Sequence, residues 1–306
     1  MSDRWDFFKG ALEAPLGIAK RRFDLRLHSN ERMGCDEFNK WLYCRIKDGT
    51  PTAVVRFGGT EMKSLRKYEF HKISGLNVGY DSECKKLCEL SGFFPDEASL
   101  IPDFCEENIK YLSAVDAIGV WDLPFERYFV KKYLKQPVQT ELENLEPYNS
   151  SIPWTGALEN CKVLVVHPFI ESIVSQYEKN REVLFENPSV LPEFKLVGFK
   201  AVQSLGGVPD GEYASWFEAL EDMYTKIREI DFDVAILGCG AYGMPLALRI
   251  KNDGKIAIHM GGATQMLFGV YGKRWENSEL INEHWIRPSI KEKATNADNV
   301  EKGCYW

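Results

Sequence analysis

One kind of junction occurs twice in close succession, and it limits the folds open to this chain. "DVAILGCGAYGMPLALRIK", residues 233–251, passes from an apolar run through closely spaced glycines into a second apolar, helix-patterned run. "AIHMGGATQMLFG", residues 257–269, does the same. An apolar run this short, closed by glycine, reads as a strand buried on both faces that turns tightly into a helix. The pattern extends upstream. "KVLVVHPF" (162–169) is a buried strand ending at a proline, "IESIVSQYEKNREVLF" carries an apolar stripe at helical spacing, "FKLVGFKAVQ" (194–203) is a strand, and 213–230 is an amphipathic helix. Strands alternating with helices predict an α/β fold with a Rossmann-like, mostly parallel sheet flanked by helices.

The first half is less regular. Residues 34–47 read as a helix, 52–62 as a β-branched run followed by a Gly-Gly turn, 82–90 and 102–115 as helices, and 117–121 as a strand. Residues 136–156 carry three prolines and few apolar repeats, and read as an internal connection. The expected organisation is one domain over 1–306 with a helical N-terminal extension of about 48 residues.

Composition excludes several classes. The net charge is −7 and there is no long Lys/Arg run, which argues against nucleic acid as the main partner. No apolar stretch approaches the roughly 18 residues of a membrane span, and the charged N-terminus does not read as a signal peptide. Eight cysteines are scattered without a CxxC pair, which suits reduced thiols in a cytoplasmic protein. A zinc site is not expected, because no histidine stands at ligand spacing near them. There is no G-x-S-x-G elbow and no Walker Gly-Lys-Ser/Thr.

In a doubly wound sheet, ligands sit at the carboxyl ends of the strands, where free N–H groups at a helix N-terminus suit phosphate. Gly238, Gly240 and Gly243 on one side and Gly261 and Gly262 on the other are candidates for such a cradle; making tight turns is their alternative role. G-C-G-A-Y-G has the G-x-G-x-x-G spacing, but a dinucleotide fingerprint needs an acid at the end of the next strand, where this chain has His259 and Met260. "RFGGTE" (56–61) places Arg56 and Glu61 around Gly58 and Gly59: Arg56 suits phosphate or carboxylate, and Glu61 suits a cation. An Arg–Glu pair supporting the turn is the alternative. His167 reads as a structural histidine rather than a base.

"VVRFGGTE", "VLVVHPFIESIVSQY", "FDVAILGCGAYGMPLA", "GKIAIHMGGATQMLFGVYGKRW" and "NEHWIRP" together resemble the GT-D-type glycosyltransferases of bacterial capsule, O-antigen and surface-glycan assembly. The resemblance spans about residues 50–306. It implies a nucleotide-sugar donor, a divalent cation such as Mn2+, and transfer to a glycan or lipid-linked glycan acceptor. The setting it implies is the cytoplasm, at the inner face of the plasma membrane. Peripheral membrane contact and self-association are compatible with it. Position by position, Glu61 matches the last acid of the family's Asp-x-Glu motif, and Gly59 stands where the Asp belongs. Glu61 is therefore the expected metal ligand, with Asp81 a conceivable second acid, and Glu283 in "NEHW" the expected base. Tyr242, Gln265 and Arg274 are expected to line the donor pocket. Two other readings remain: a Rossmann-like enzyme using NAD(P) or S-adenosylmethionine, and an inactive glycan-assembly scaffold motivated by Gly59.

Overall fold

The computed structural model describes residues 6–10, 32–204, 211–294 and 303–306. Seven strands form one sheet: β1 (Thr52–Val55), β2 (Ala117–Val120), β3 (Val138–Glu141), β4 (Lys162–His167), β5 (Lys195–Lys200), β6 (Val234–Leu237) and β7 (Ile256–His259). Their order is β3-β2-β1-β7-β6-β4-β5, and every pairing is parallel. The Rossmann-like parallel sheet expected from the alternation is the one observed.

Period-two alternation along the strands divides the core into two layers. Ala53 and Val55 face one apolar cluster and Val54 faces the other; Leu164 and Val166 oppose Val163 and Val165 in the same way. The first layer holds helices α2 (Gly59–Ser74), α3 (Asp81–Ser91), α4 (Ile101–Lys110), α5 (Glu126–Tyr133), α7 (Trp216–Arg228) and α8 (Gly243–Asn252). The second holds α1 (Cys35–Lys47) and α6 (Ile170–Asn180), with the short α9 (Thr264–Leu267). Helix α1 buries Phe38, Leu42 and Ile46 against the sheet with Trp154.

The segment 136–156 is more than a connection. It contains β3, an edge strand whose sequence is VQTE and whose residues are mostly half-buried. Beyond β2 it meets only an isolated bridge at Met33 among the described residues, so an edge strand like this needs no apolar run, and its polarity concealed it. Helix α2 was also concealed, because polar Glu61, Ser64 and Glu69 are buried within it and interrupt the apolar stripe.

The connections set two junctions side by side at one end of the sheet. β1 leads outward to β2 and β3, whereas β7 arrives beside β1 from β6. The chain therefore diverges at the carboxyl ends of β1 and β7, the kind of switch point where open α/β sheets bind ligands.

Candidate functional site at the carboxyl ends of β1 and β7

Arg56 leaves the end of β1, half-buried. Its guanidinium lies over the Trp121 ring, 5.2 Å from the centroid. Trp121, the first residue after β2, is fixed by its indole N–H, which donates to Phe57 O at 3.0 Å. On the other side Arg56 faces Gly261, where a Cβ would stand 3.5 Å from the Arg56 Nε. Among the described residues Arg56 makes no hydrogen bond or ion pair, and its Nε is buried without a partner. A buried N–H left this way loses its solvation, which makes it a donor awaiting an acceptor. The Arg56–Glu61 pair, the alternative reading of this turn, does not form.

Glu61 stands in the first turn of α2. Its carboxylate folds back over Gly58, so close that a Cβ there would be 1.8 Å from Oε2. Gly58 is the N-cap and Gly59 the first residue of the helix. Gly59 faces the Trp121 ring at 3.4 Å from a notional Cβ. Arg56, Gly58, Gly59, Glu61 and Gly261 are therefore brought together, with Trp121 as a wall that the sequence did not single out. Its only signal was its place directly after the apolar run of β2.

The other glycines are filled by protein groups. A Cβ on Gly243 would fall 2.2 Å from His259, and one on Gly238 would fall 2.7 Å from both His167 and Thr264. At Gly240, with φ +56, a Cβ would fall 2.8 Å from the Ser91 carbonyl oxygen. These glycines admit histidine rings and backbone at the strand ends. His167 Nδ1 accepts from Phe169 N at 3.0 Å, and His259 Nδ1 lies 3.3 Å from Leu237 O. Burial pushes both rings down to about 3; for His259 the Arg56 charge adds to the effect. Both are neutral structural histidines at physiological pH.

Residues 303–306 roof the β7 junction. The Tyr305 ring sits 2.6 Å from where a Gly262 Cβ would be. Its carbonyl is 3.5 Å from Gln265 Nε2, and its hydroxyl accepts from Arg274 Nη1 at 3.3 Å. Arg274 stacks on the Tyr305 ring at 4.9 Å. Arg274 N donates to Cys304 O, Lys273 N to Trp306 O, and Trp306 packs on Phe169 at 4.6 Å. Gln265 and Arg274 thus face this segment. A second carboxylate, Glu292, accepts from Glu171 N, Ser172 N and the Ser172 hydroxyl, closing the N-terminus of α6 with an internal anion. Neither group was foreseen, because each comes from far along the chain.

Tyr242 and Glu283 lie apart from Arg56. Tyr242 is buried and stacks on Trp216, ring centroids 5.3 Å apart. Glu283 is exposed, 3.7 Å from His284 Nε2. Its neighbour Asn282 holds Val183 O just past the end of α6, a helix that runs back from the strand ends.

The β1 edge does not fit a resident Mn2+ centre. Among the described residues the turn after β1 brings one carboxylate, Glu61, to this edge. Asp122 is paired to Arg32 at 2.8 Å. Glu126 Oε2 accepts from Trp121 N and Leu123 N at 3.1 Å, and burial pushes its carboxyl up to about 7 against those two bonds. Asp81 opens α3, beyond the far end of the 16-residue α2, about 24 Å long.

The chain matches no protein-family model and no curated protein. Among solved structures it is similar to a selenomethionine-substituted domain of unknown function 1792, at 11% identity and TM-score 0.37, over 83% of this chain and 96% of that one. It is also similar to a new glycosyltransferase (DUF1792) from Streptococcus sanguinis, at 11% identity and TM-score 0.38, over 86% of this chain and 96% of that one. A third, the highly conserved domain of unknown function 1792 with a distinct glycosyltransferase fold, has 11% identity and TM-score 0.35, over 82% and 96%.

Proposed function

We propose that the chain is a glycosyltransferase that takes a sugar from a nucleotide-diphospho-sugar and passes it to a glycan acceptor in the assembly of a bacterial surface polysaccharide or glycoconjugate. The single observation that carries this reading is Arg56: an unpaired guanidinium at the switch point of a parallel sheet, held against Trp121 beside the N-terminus of a 16-residue helix. The resemblance of several sequence blocks to GT-D-type enzymes suggests the reaction class.

In this reading the diphosphate lies between Arg56 and the first turn of α2. Arg56 and the free N–H groups of that turn meet the charge that grows on the departing diphosphate. Trp121 keeps the guanidinium from swinging away. Glu61 is the carboxylate nearest that turn, placed to take the proton of the acceptor hydroxyl. Glu283 would serve as base only for an acceptor reaching the exposed loop beside α6. Because one carboxylate does not make a metal centre, no step is assigned to Mn2+. This reading assigns the reaction to the cytoplasm, as the resemblance to GT-D-type enzymes implies. Among the described residues no helix is long and apolar enough to cross a membrane.

A thermal-shift panel of UDP-, GDP- and TDP-sugars, each with and without Mn2+, tests this, because a ligand that binds only the native state raises the melting temperature. A shift with one donor that persists without Mn2+ is expected. A shift confined to NAD(P) or S-adenosylmethionine would overturn the reading.

A further inference from the structure

Away from the β1–β7 edge, three potential metal ligands converge at the end of α3. Cys84 and Cys88 are one helical turn apart, so both thiols lie on one face of α3. The helix ends at Gly92, in the left-handed region at φ +80, and the returning chain brings Asp96 back to that face. One ligand atom from each of Cys84, Cys88 and Asp96 lies within 4.8 Å of the other two. No other such trio occurs among the described residues.

We propose that Cys84, Cys88 and Asp96 bind a zinc ion, with water in the fourth position. Two thiolates and one carboxylate form a soft donor set that favours zinc over magnesium or calcium. Zinc–sulfur bonds of about 2.3 Å in a tetrahedron set sulfur atoms roughly 3.8 Å apart, so side-chain rotation closes the observed spacing. Binding replaces the two thiol protons with Zn2+ and releases both to solvent. Without the ion, burial keeps both thiols protonated, pushing Cys88 up to about 11 and Cys84 higher. Exposed Asp96 marks the side from which the ion arrives. The histidine-spacing argument passed over this set because its third ligand is a carboxylate.

The ion would staple α3 to the loop after it. Phe94 O in that loop accepts from Trp216 N at the start of α7, at 2.8 Å. Gly92 O accepts from the Ser204 hydroxyl at 2.6 Å, and the Ser91 carbonyl faces Gly240. The staple therefore braces the wall behind the β6 junction. It does not depend on the donor reading.

The test is cobalt substitution of the reduced, metal-stripped full chain, followed by absorption. The expected result is one equivalent of Co2+ with thiolate-to-cobalt charge-transfer bands and tetrahedral d–d bands, displaced by Zn2+. Cys84→Ser/Cys88→Ser should abolish the bands. Asp96→Asn changes only an exposed side chain, so it should fold, keep the bands and weaken zinc affinity by about tenfold or more. Absence of thiolate bands at saturating Co2+, or bands unchanged in the double variant, would overturn the proposal.

Discussion

Adding a single methyl group at Gly243 separates two explanations of the glycines at the strand ends. A Cβ there would stand 2.2 Å from both Cε1 and Nδ1 of His259, so the ring or the helix must move. The ring has little room: His259 is 4% exposed, with Nδ1 3.3 Å from Leu237 O. Such overpacking costs about 1–3 kcal/mol. The backbone at Gly243 is already helical, at φ −61 and ψ −46. Alanine there should gain up to about 1 kcal/mol over glycine. The two effects oppose each other, and only the first needs the ring. Gly243→Ala should therefore lower stability in the wild-type background and raise it slightly in a His259→Ala background. The coupling should approach about 2 kcal/mol, within the usual range for residues in contact. Urea unfolding of the four proteins measures it. If Gly243→Ala has the same effect in both backgrounds, the glycine is not there to admit the ring.

Three further outcomes follow from the geometry. His167 and His259 are neutral when folded and have an ordinary value of 6.5, so the unfolded chain binds more protons between about pH 6.5 and 3, and stability falls as pH falls through that window. Each costs about 2 kcal/mol by pH 5. Glu126, raised from 4.5 to about 7, has the opposite sign and returns about 2 kcal/mol over the same interval. Unfolding at pH 7 and 5 should show a net loss of about 2 kcal/mol, roughly doubling in Glu126→Gln. Tyr305→Ala removes the ring over Gly262 and should let Gly262→Ala be tolerated, whereas Gly262→Ala alone should cost about 1–3 kcal/mol, read as a melting shift. Glu292→Gln removes the negative charge at the N-terminus of α6 and leaves one amide oxygen where two carboxylate oxygens accept; it should destabilise by about 1–2 kcal/mol, measured by urea unfolding.

The strands most legible in the sequence are the ones buried on both faces. β4, β6 and β7 read as unbroken apolar runs because helices cover both sides. β3 did not, because an edge strand tolerates VQTE. α2 did not, because buried Glu61 and Glu69 break its stripe, the latter satisfied by Tyr128, Tyr133 and Lys132. At the candidate site, the proximity of Arg56 and Glu61 was legible because they flank one turn. That 238, 243 and 262 are glycines at strand–helix junctions was legible, but the pattern reads as a phosphate cradle. What fills those positions was not legible: His167, His259 and Tyr305 reach them from other elements, and pattern within one segment cannot show a long-range contact. Tyr242 lies at a junction in sequence but turns into the core against Trp216.

The central claim is that Arg56 receives a nucleotide diphosphate. Isothermal titration of the wild-type chain and Arg56→Ala with UDP-, GDP- and TDP-sugars tests it most directly, after confirming that both melt alike without ligand. Losing a charged hydrogen-bond partner is worth about 1.5–3 kcal/mol, so the affinity for one donor should fall by roughly ten- to a hundredfold. Equal affinity in the two proteins, or no donor bound by either, would contradict the account.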